Sequence, residues 1–285
     1  MAIKLMIDSA SDITKEQAEE LGVMLVSMPI AIGDEEYFDG VDITPRNFYE
    51  KLIESNELPR TSQVSPYRFE EVFEEQTAKG NEVVAILLSS KLSGTYEGAK
   101  KSAEKFKDKV FVIDSMSASV GERMLLEYAL RLVKEGLSAK EIADKLEEIK
   151  GKVRIMAVVD TLKYLKKGGR ISTATAIAGE MLSIKPVVAL VDGKVKMVGK
   201  AMGSRKANNL LNQIVESNGG IDFSLPFGTI WSGLNDSMLQ KYINDSAHLW
   251  QDSVKEVPSY PIGATIGTHV GPGAVGVAFF AVKPV

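Results

Sequence analysis

The alternation of apolar and amphipathic stretches in the first half of the chain predicts a mostly parallel β-sheet with helices on both faces. Apolar runs of strand length predict four strands, at Lys4 to Ile7, Val23 to Ala31, Val83 to Leu88 and Val110 to Ile113. Stretches of helical period predict five helices, at Thr14 to Leu21, Pro45 to Ser55, Pro66 to Lys79, Gly94 to Phe106 and Val120 to Glu135. Capping signals mark helix starts at Thr44-Pro45, Ser119 with Glu122, and Ser138 with Glu141.

After Gly151 the pattern changes and predicts a mixed or antiparallel α/β unit. A two-residue turn signal, Asp192-Gly193, separates two apolar runs and indicates a β-hairpin. The predicted strands are Val153 to Val159, Val187 to Val191, Lys194 to Val198, Pro261 to His269 and Val275 to Val282. The predicted helices are Leu162 to Lys167, Ala174 to Leu182, Arg205 to Glu216 and Ser237 to Trp250. We therefore predict two α/β domains, residues 1–152 and 153–285.

Composition supports a globular protein, with 45% hydrophobic and 25% charged residues in a chain of 285. There is no Cys, which excludes disulfides. An acid, Asp8, occurs too early for a secretory signal peptide, and the longest apolar runs fall short of the ~20 residues that span a bilayer. We expect a cytoplasmic protein without stable membrane insertion.

The balance of 34 basic and 38 acidic residues, a net charge of −4, argues against a nucleic-acid-binding protein. One basic cluster surrounds Gly168-Gly169 and contains Lys163, Lys166, Lys167 and Arg170, and a further cation, Arg205, opens a later helix. Such clusters are usually solvated faces, but in an acidic chain this one is also suited to guide an acidic or phosphate-bearing partner. The acidic stretch from Asp34 to Asp42, which includes Asp39, is predicted to be a solvated loop.

Hydroxyl groups gather where three of the predicted parallel strands end. Ligands of open α/β sheets bind at the carboxyl ends of the strands, and here these ends run into Asp8 to Asp12, Ser89 to Thr95, and Asp114-Ser115. The segment Thr61 to Pro66 is expected to fold over the same edge. Taken singly, most of these residues suit helix caps and turns. Together, hydroxyls at a helix N-terminus suit a carboxylate or phosphate ligand.

The two histidines, His248 and His269, are too few to predict a zinc site in a chain without Cys. The glycines at 271, 273 and 276 spell G-x-G-x-x-G, but a strand and the chain end follow them instead of a helix, so we reject a dinucleotide site. The sequence also lacks a P-loop and a G-x-S-x-G elbow. We expect no metal and no cofactor.

Several motifs, in order along nearly the whole chain, resemble the DegV family of bacterial fatty-acid-binding proteins. They are Asp8 to Asp12, Thr61-Ser62-Gln63, Ser89 to Gly94, Tyr164 to Ile171, Lys185-Pro186 and Gly267 to Gly273. The resemblance implies two α/β domains with one long-chain fatty acid, such as palmitate, held between them. It places the carboxylate against Thr61 and Ser93 and maps the family histidine onto His269, and we add Ser62 and Gly94 to this predicted site.

The resemblance also implies a partner, because some members of the family present their fatty acid to an ATP-dependent fatty acid kinase. The implied docking surface includes Arg170 and Arg205, to which we add Lys166 and Lys167. One departure is Val64, where the family commonly has proline; the hydroxyls are retained, but the loop is expected to be less stiff.

A second hypothesis stays open on the residues alone. Ser93 as nucleophile, His269 as base, and Asp8 or Asp114 as the orienting acid would make a hydrolase or acyltransferase. No elbow motif fixes these residues, so the lipid carrier is the favoured interpretation. The motifs do not specify the preferred acyl chain length or the oligomeric state.

Overall fold

The computed structural model describes residues 2–55, 57–172 and 183–283. Within them the strands are β1 (Ile3–Asp8), β2 (Met24–Val26), β3 (Pro29–Ile32), β4 (Glu35–Phe38), β5 (Arg60–Thr61), β6 (Glu82–Leu87), β7 (Val110–Asp114), β8 (Val153–Val158), β9 (Ile184–Val191), β10 (Lys194–Met202), β11 (Phe227–Trp231), β12 (Ser259–Pro261) and β13 (Val275–Phe280). The helices are α1 (Lys15–Leu21), α2 (Pro45–Glu54), α3 (Pro66–Ala78), α4 (Thr95–Ala103), α5 (Val120–Lys134), α6 (Ala139–Ile149), α7 (Lys163–Lys167), α8 (Ser204–Ser217), α9 (Ser237–Asp245) and α10 (Ala264–Val270).

The first sheet is parallel, in the order β2-β1-β6-β7. Alternate side chains of β6 face opposite ways: Val84 and Ile86 pack in the core with α5 and α6, whereas Val83 and Ala85 pack with α3 and α4. This alternation follows from the period of two along a strand. The predicted parallel sheet with helices on both faces is confirmed.

The second sheet has six strands in the order β10-β9-β8-β13-β11-β12 and is mixed, because only β11 and β12 pair in parallel. The predicted hairpin is formed by β9 and β10. Its turn residues, Asp192 and Gly193, have φ of 53° and 74°, the left-handed conformation that a two-residue hairpin turn requires. Helices α8 and α9 cover one face of this sheet, and α5 packs against both large sheets. The mixed second α/β unit is therefore confirmed.

Three predicted features were wrong. The predicted strand Pro261 to His269 is β12 followed by the helix α10. The predicted strand Val23 to Ala31 is broken at Ser27-Met28, so β2 joins the first sheet and β3 joins a small sheet of order β4-β3-β5. The Ser119 and Glu122 capping box does not form, because the Ser119 side chain makes no cap hydrogen bond to α5.

The other capping predictions are confirmed, with Thr44 accepting from the Asn47 N–H and a reciprocal capping box between Ser138 and Glu141. The predicted helix Ala174 to Leu182 lies outside the described residues. The division into domains at residue 152 stays a prediction. Among the described helices none is long and apolar enough to cross a membrane.

The acidic stretch that follows β3 is only partly the solvated loop we expected. Asp34 and Asp42 are exposed, and Glu35 and Glu36 belong to the exposed strand β4. Asp39 is the exception, since it is 2% exposed and accepts hydrogen bonds from the Ala264 and Thr265 N–H groups. The unpaired N–H groups at a helix start favour a buried carboxyl group there, which explains why Asp39 is not part of a solvated loop.

Candidate fatty-acid site between the two sheets

A cavity lies between the two large sheets, with about 910 Å³ of empty space that includes its open mouth. Side chains from both halves of the chain line it. Most of the lining is an apolar wall, made by Met28, Leu88, Leu92, Ala118, Ile155, Met156, Ala157, Val159, Leu165, Val188, Ala189, Leu190, Val195, Ile230, Ile262, Ile266 and Val270. A cavity closed mainly by aliphatic groups is suited to a hydrocarbon chain.

The polar wall of the cavity consists of Thr61, Ser62, Gln63, Ser93, Arg170 and His269. Two other polar residues, Ser119 and Thr265, also line the cavity. The sequence placed Thr61, Ser62, Ser93 and His269 at a binding site, and the structure brings them to one cavity. Gly94 does not line the cavity.

The centre of the polar wall is a contact between two residues 208 positions apart, in which Thr61 Oγ1 and His269 Nε2 are 2.9 Å apart. Thr61 is held by β5, which pairs with β3, and His269 lies in the last turn of α10. Gly168 packs against the imidazole so closely that a Cβ there would be 2.2 Å from Nδ1. Glycine is therefore required at 168 for the ring to occupy this position.

His269 is neutral at physiological pH. Burial and, as the smaller cause, the positive charge of Arg170 together lower the pKa of its imidazole to about 4. A neutral imidazole has one donor nitrogen and one acceptor nitrogen, and the sense of the Thr61 contact depends on the tautomer. When Nε2 carries the proton and donates to Thr61, the threonine hydroxyl is free to donate into the cavity.

Ser93 and the Thr61-Ser62-Gln63 segment are tied together at the start of α4. Ser93 Oγ lies 2.9 Å from Thr95 Oγ1, which also accepts from the Val64 N–H at 3.3 Å. Gly94 stands at the N-cap position of α4, and a Cβ there would lie 2.1 Å from Gln63 Oε1. Gly94 therefore serves the site by allowing the two segments to approach each other.

Arg170 closes the polar wall on its remaining side. Its Nε donates to the Leu92 carbonyl at 3.2 Å and its Nη1 donates to the Gly168 carbonyl at 2.5 Å. The guanidinium is half-buried, and desolvation lowers its pKa from the ordinary value. Arg170 thus joins the backbone beside Ser93 to the backbone beside His269, and it also borders a neighbouring open groove.

The four predicted docking cations do not form one cluster around the mouth. Lys166 is partly exposed, Lys167 is exposed, and both lie in the last turn of α7, close to Arg170 in the chain. Arg205 is exposed in the first turn of α8, after the end of β10. The groove beside Arg170 reaches Met197 of β10. Met202, near Arg205, lies five positions further along that strand, roughly 17 Å away.

The comparisons with known proteins bear on this site. The DegV family model matches residues 2–282. The chain belongs to the DegV family. Among its relatives, a DegV domain-containing protein of Caldanaerobacter subterraneus is 35% identical, with 97% of this chain and 98% of the relative covered. A DegV domain-containing protein of Clostridium perfringens is 34% identical, with 95% of each chain covered.

Solved structures of other DegV proteins share the whole fold. A fatty acid-binding DegV family protein from Thermus thermophilus has a TM-score of 0.87 and 31% identity, over 99% of this chain and 100% of that chain. A stearic acid-binding protein from Eubacterium ventriosum has a TM-score of 0.86 and 26% identity, over 99% of both chains. DegV from Bacillus subtilis, also a fatty acid-binding protein, has a TM-score of 0.81 and 29% identity, over 98% of both chains.

The sequence did not single out two residues that the DegV fold places at or beside the cavity. Gln63 was seen only as part of a motif, although it lines the cavity and contacts the start of α4. Ser119 was assigned to a helix cap, whereas it lines the cavity and its hydroxyl donates to Asp12. Its backbone has a φ of 54°, which is rare for a residue other than glycine, and no local sequence signal indicates that conformation.

Proposed function

We propose that this DegV protein binds one long-chain fatty acid, with the acyl tail along the apolar wall and the carboxylate at the polar wall. The observation that carries the proposal is the division of the cavity lining, in which aliphatic side chains cover the interior and hydrogen-bonding side chains are gathered around the Thr61 and His269 contact. Fatty acid binding by DegV proteins of the same fold supports it.

The apolar wall accounts for the affinity. A sixteen-carbon chain removes about fourteen methylenes from water, worth roughly 11 kcal/mol at ~0.8 kcal/mol each before the entropic costs of binding. This gain requires a dry cavity and no reactive group. The side chains of the apolar wall, among them Ile155, Val188 and Ile230, provide such surroundings.

The polar wall accounts for the orientation of the ligand. A carboxylate that leaves water is costly unless donors meet it. Thr61 and Ser93 carry hydroxyl donors, the neutral His269 holds Thr61, and Arg170 contributes a positive charge beside them. In this arrangement His269 orients the head group and does not act as a general base.

The geometry favours a carrier over a hydrolase. His269 Nε2 contacts Thr61, and Nδ1 has no hydrogen-bond partner among the described residues. Both Asp8 oxygens accept backbone N–H groups, from Ala10 and Leu88. Asp114 Oδ1 accepts from the Ser90 and Met116 N–H groups. Among the described contacts, neither acid orients the histidine and Ser93 does not contact it.

We further propose that the bound fatty acid is presented to an ATP-dependent fatty acid kinase. The cations near the mouth are the exposed Lys167 and the partly exposed Lys166 and Arg170. Together with the exposed Arg205 on α8, they would meet an acidic surface of that partner. Opposite charges across such a rim raise the association rate and make it sensitive to salt.

Native mass spectrometry of the protein as purified tests the proposal. The expected result is one fatty acid per chain, lost from the Thr61→Val and Ser93→Ala double variant after extraction and reloading with palmitate. A Thr14→Val variant, altered at a remote helix cap, is the matched control and should reload fully. Turnover of an activated acyl ester that vanished in both Ser93→Ala and His269→Gln would instead establish the hydrolase.

A further inference from the structure

The helix that carries His269 begins without a cap of its own. The N-cap position of α10 is Gly263, which has no side chain, and the N–H groups of the first turn need acceptors from elsewhere. The side chain of Thr268 does not supply one, since it donates to the Ala264 carbonyl. The start of α10 therefore depends on residues from other parts of the chain.

Two buried aspartates from the first 40 residues provide these acceptors. Asp12 Oδ1 accepts from the Gly263 N–H at 2.8 Å. Asp39 accepts twice, through Oδ1 from the Ala264 N–H at 3.0 Å and through Oδ2 from the Thr265 N–H at 2.9 Å. Three consecutive N–H groups are thus held by side-chain carboxyl oxygens of residues more than 220 positions away. The positive end of the helix dipole favours acids at this place.

The two aspartates are themselves fixed. Asp12 Oδ2 accepts from the hydroxyl of Ser119, whose N–H donates to the Ala10 carbonyl at 2.6 Å. Asp39 donates its own N–H to the Met28 carbonyl at 3.1 Å. Both aspartates are buried, so water does not compete for these bonds. The start of α10 is consequently clamped to the first half of the chain.

The C-terminal end of the same helix carries His269 of the polar wall. α10 has seven residues, about 10 Å of helix at 1.5 Å per residue, and a short helix of this kind moves as one body. Its Thr265, Ile266, His269 and Val270 line the cavity. A shift at Gly263 therefore moves the imidazole relative to Thr61, which lies on β5 and does not move with the helix.

We propose that Asp12 and Asp39 are positioning residues for the head-group site, holding α10 at its start so that His269 meets Thr61 at its end. The proposal rests on the proposed fatty acid binding for its functional meaning, whereas the position of the imidazole is measurable without any ligand. The residues act through α10 and do not touch the cavity themselves.

The two aspartates differ in a way that gives a matched pair of variants. In Asp39→Asn an amide NH2 faces a backbone N–H, because both oxygens accept from the backbone, and one bond to α10 is lost. In Asp12→Asn the amide oxygen still accepts from Gly263, and the NH2 faces the Ser119 hydroxyl, which accepts as readily as it donates. Each variant removes the charge of one buried aspartate, but only Asp39→Asn is expected to lose a hydrogen bond to α10.

The first measurement is an NMR titration of the histidine imidazoles in the full-length protein without ligand, with the exposed His248 as internal reference. In the wild type, burial keeps the pKa of His269 at about 4. We expect Asp39→Asn to raise it by about one unit as the ring leaves its buried position, and Asp12→Asn to leave it unchanged. A merely destabilised protein would not change the titration of its folded molecules.

A milder variant covers the case in which Asp39→Asn does not fold. A Cβ at Gly263 would lie 3.3 Å from both Asp12 Oδ1 and Asp39 Oδ1, so Gly263→Ala displaces the carboxylates slightly. Gly151→Ala is its control, since a Cβ there has no neighbour within 4 Å. We expect Gly263→Ala to move the His269 titration in the same direction as Asp39→Asn, and Gly151→Ala to leave it at the wild-type value.

The second measurement compares palmitate with hexadecanol, which has the same tail without the carboxylate. Asp39→Asn should lower palmitate affinity about tenfold and leave hexadecanol affinity unchanged. An unchanged His269 titration in both Asp39→Asn and Gly263→Ala would overturn the proposal, as would an equal shift in Asp12→Asn. If the wild type bound no palmitate, the proposed function would fail while the titration still decided the positioning role.

Discussion

The two walls of the cavity are built in opposite ways. The apolar wall comes mainly from strands of the second sheet and from α7 and α10, with side chains that make contacts without direction. The polar wall joins three segments, around residues 61, 93 and 170, to the end of α10 through directed hydrogen bonds. Under the proposed function, one wall would supply affinity and the other would fix which end of the ligand faces the mouth.

A larger side chain on the apolar wall, which fills the cavity, should have the largest effect on palmitate affinity. Val188 is buried on β9 and lines the cavity. We expect Val188→Trp to lower palmitate affinity by at least roughly 100-fold, because the indole occupies space that the acyl chain needs. Isothermal titration measures it, and Val198→Trp, at an exposed position of β10, is the control. Equal affinity in wild type and Val188→Trp would mean that the tail lies elsewhere.

Removing one donor from the polar wall should have a smaller effect that depends on the carboxylate. We expect Thr61→Val to weaken palmitate binding by ~1 to 3 kcal/mol, the usual cost of leaving a charged group one donor short. Hexadecanol binding should hardly change. The same titrations, on protein shown to be folded by circular dichroism, provide the test. A variant that lost both ligands equally would contradict a separate head-group site.

The acids beneath the polar wall should make stability depend on pH, whereas the apolar wall should not. Burial raises the pKa of Asp8 to about 7 and of Asp12 to about 8, above the ordinary value of 3.8. Between the ordinary pKa of 3.8 and the raised pKa of each aspartate, the folded protein keeps a proton on that side chain that the unfolded chain has released. The free energy of unfolding contributed by these two acids therefore falls as pH rises from about 4 towards 8.

His269 has the opposite effect on the free energy of unfolding over part of this pH range. The pKa of His269 is lowered to about 4 in the folded protein, so its contribution to the free energy of unfolding rises between pH 4 and its ordinary value of 6.5 and is constant above it.

Asp12→Asn should remove one of the two acids and flatten the decline of the free energy of unfolding by about 1.4 kcal/mol per pH unit near pH 5 to 7. Urea unfolding at pH 5, 6 and 7 checks this. Parallel pH profiles for wild type and variant would exclude a retained proton on Asp12.

Removing a cation outside the polar wall should lower acyl-phosphate formation by the kinase and leave palmitate affinity unchanged. We expect Arg205→Ala to lower acyl-phosphate formation by a cognate kinase only a few-fold, in a salt-sensitive way, with palmitate affinity unchanged. Arg170→Ala should lower both quantities, because Arg170 is part of the polar wall. The two quantities are titrated in parallel for each variant. A loss of lipid affinity in Arg205→Ala would place that residue in the site.

The sequence predicts those parts of the fold whose signals are local. Apolar runs of strand length identify β1, β6 and β7, and Asp192-Gly193 identifies the hairpin turn, because each depends on neighbouring residues alone. α10 was mistaken for a strand for the opposite reason. Its β-branched sequence favours a strand, and the carboxylates that make it a helix, on Asp12 and Asp39, lie more than 220 positions away.

The site shows the same distinction. Thr61, Ser93 and His269 were identified from motifs, and the structure brings them to one cavity. Motifs could not predict that Arg170 faces the cavity as well as the surface, or that Ser119 reaches Asp12 from a strained backbone. Both depend on how the two halves pack, and composition and spacing contain no measure of that packing.

The separation of 208 positions between Thr61 and His269 has a consequence for the order in which the protein folds. Contacts between distant parts of a chain form slowly, because the intervening loop must first be closed. The strands and helices of each half can assemble through nearer contacts, so we expect the cavity to be completed at a late stage of folding. A ligand that requires both walls then binds only the finished molecule, and binding withdraws that molecule from the unfolding equilibrium. Under the proposed function, we therefore expect the supply of lipid to raise the resistance of this protein to proteolysis.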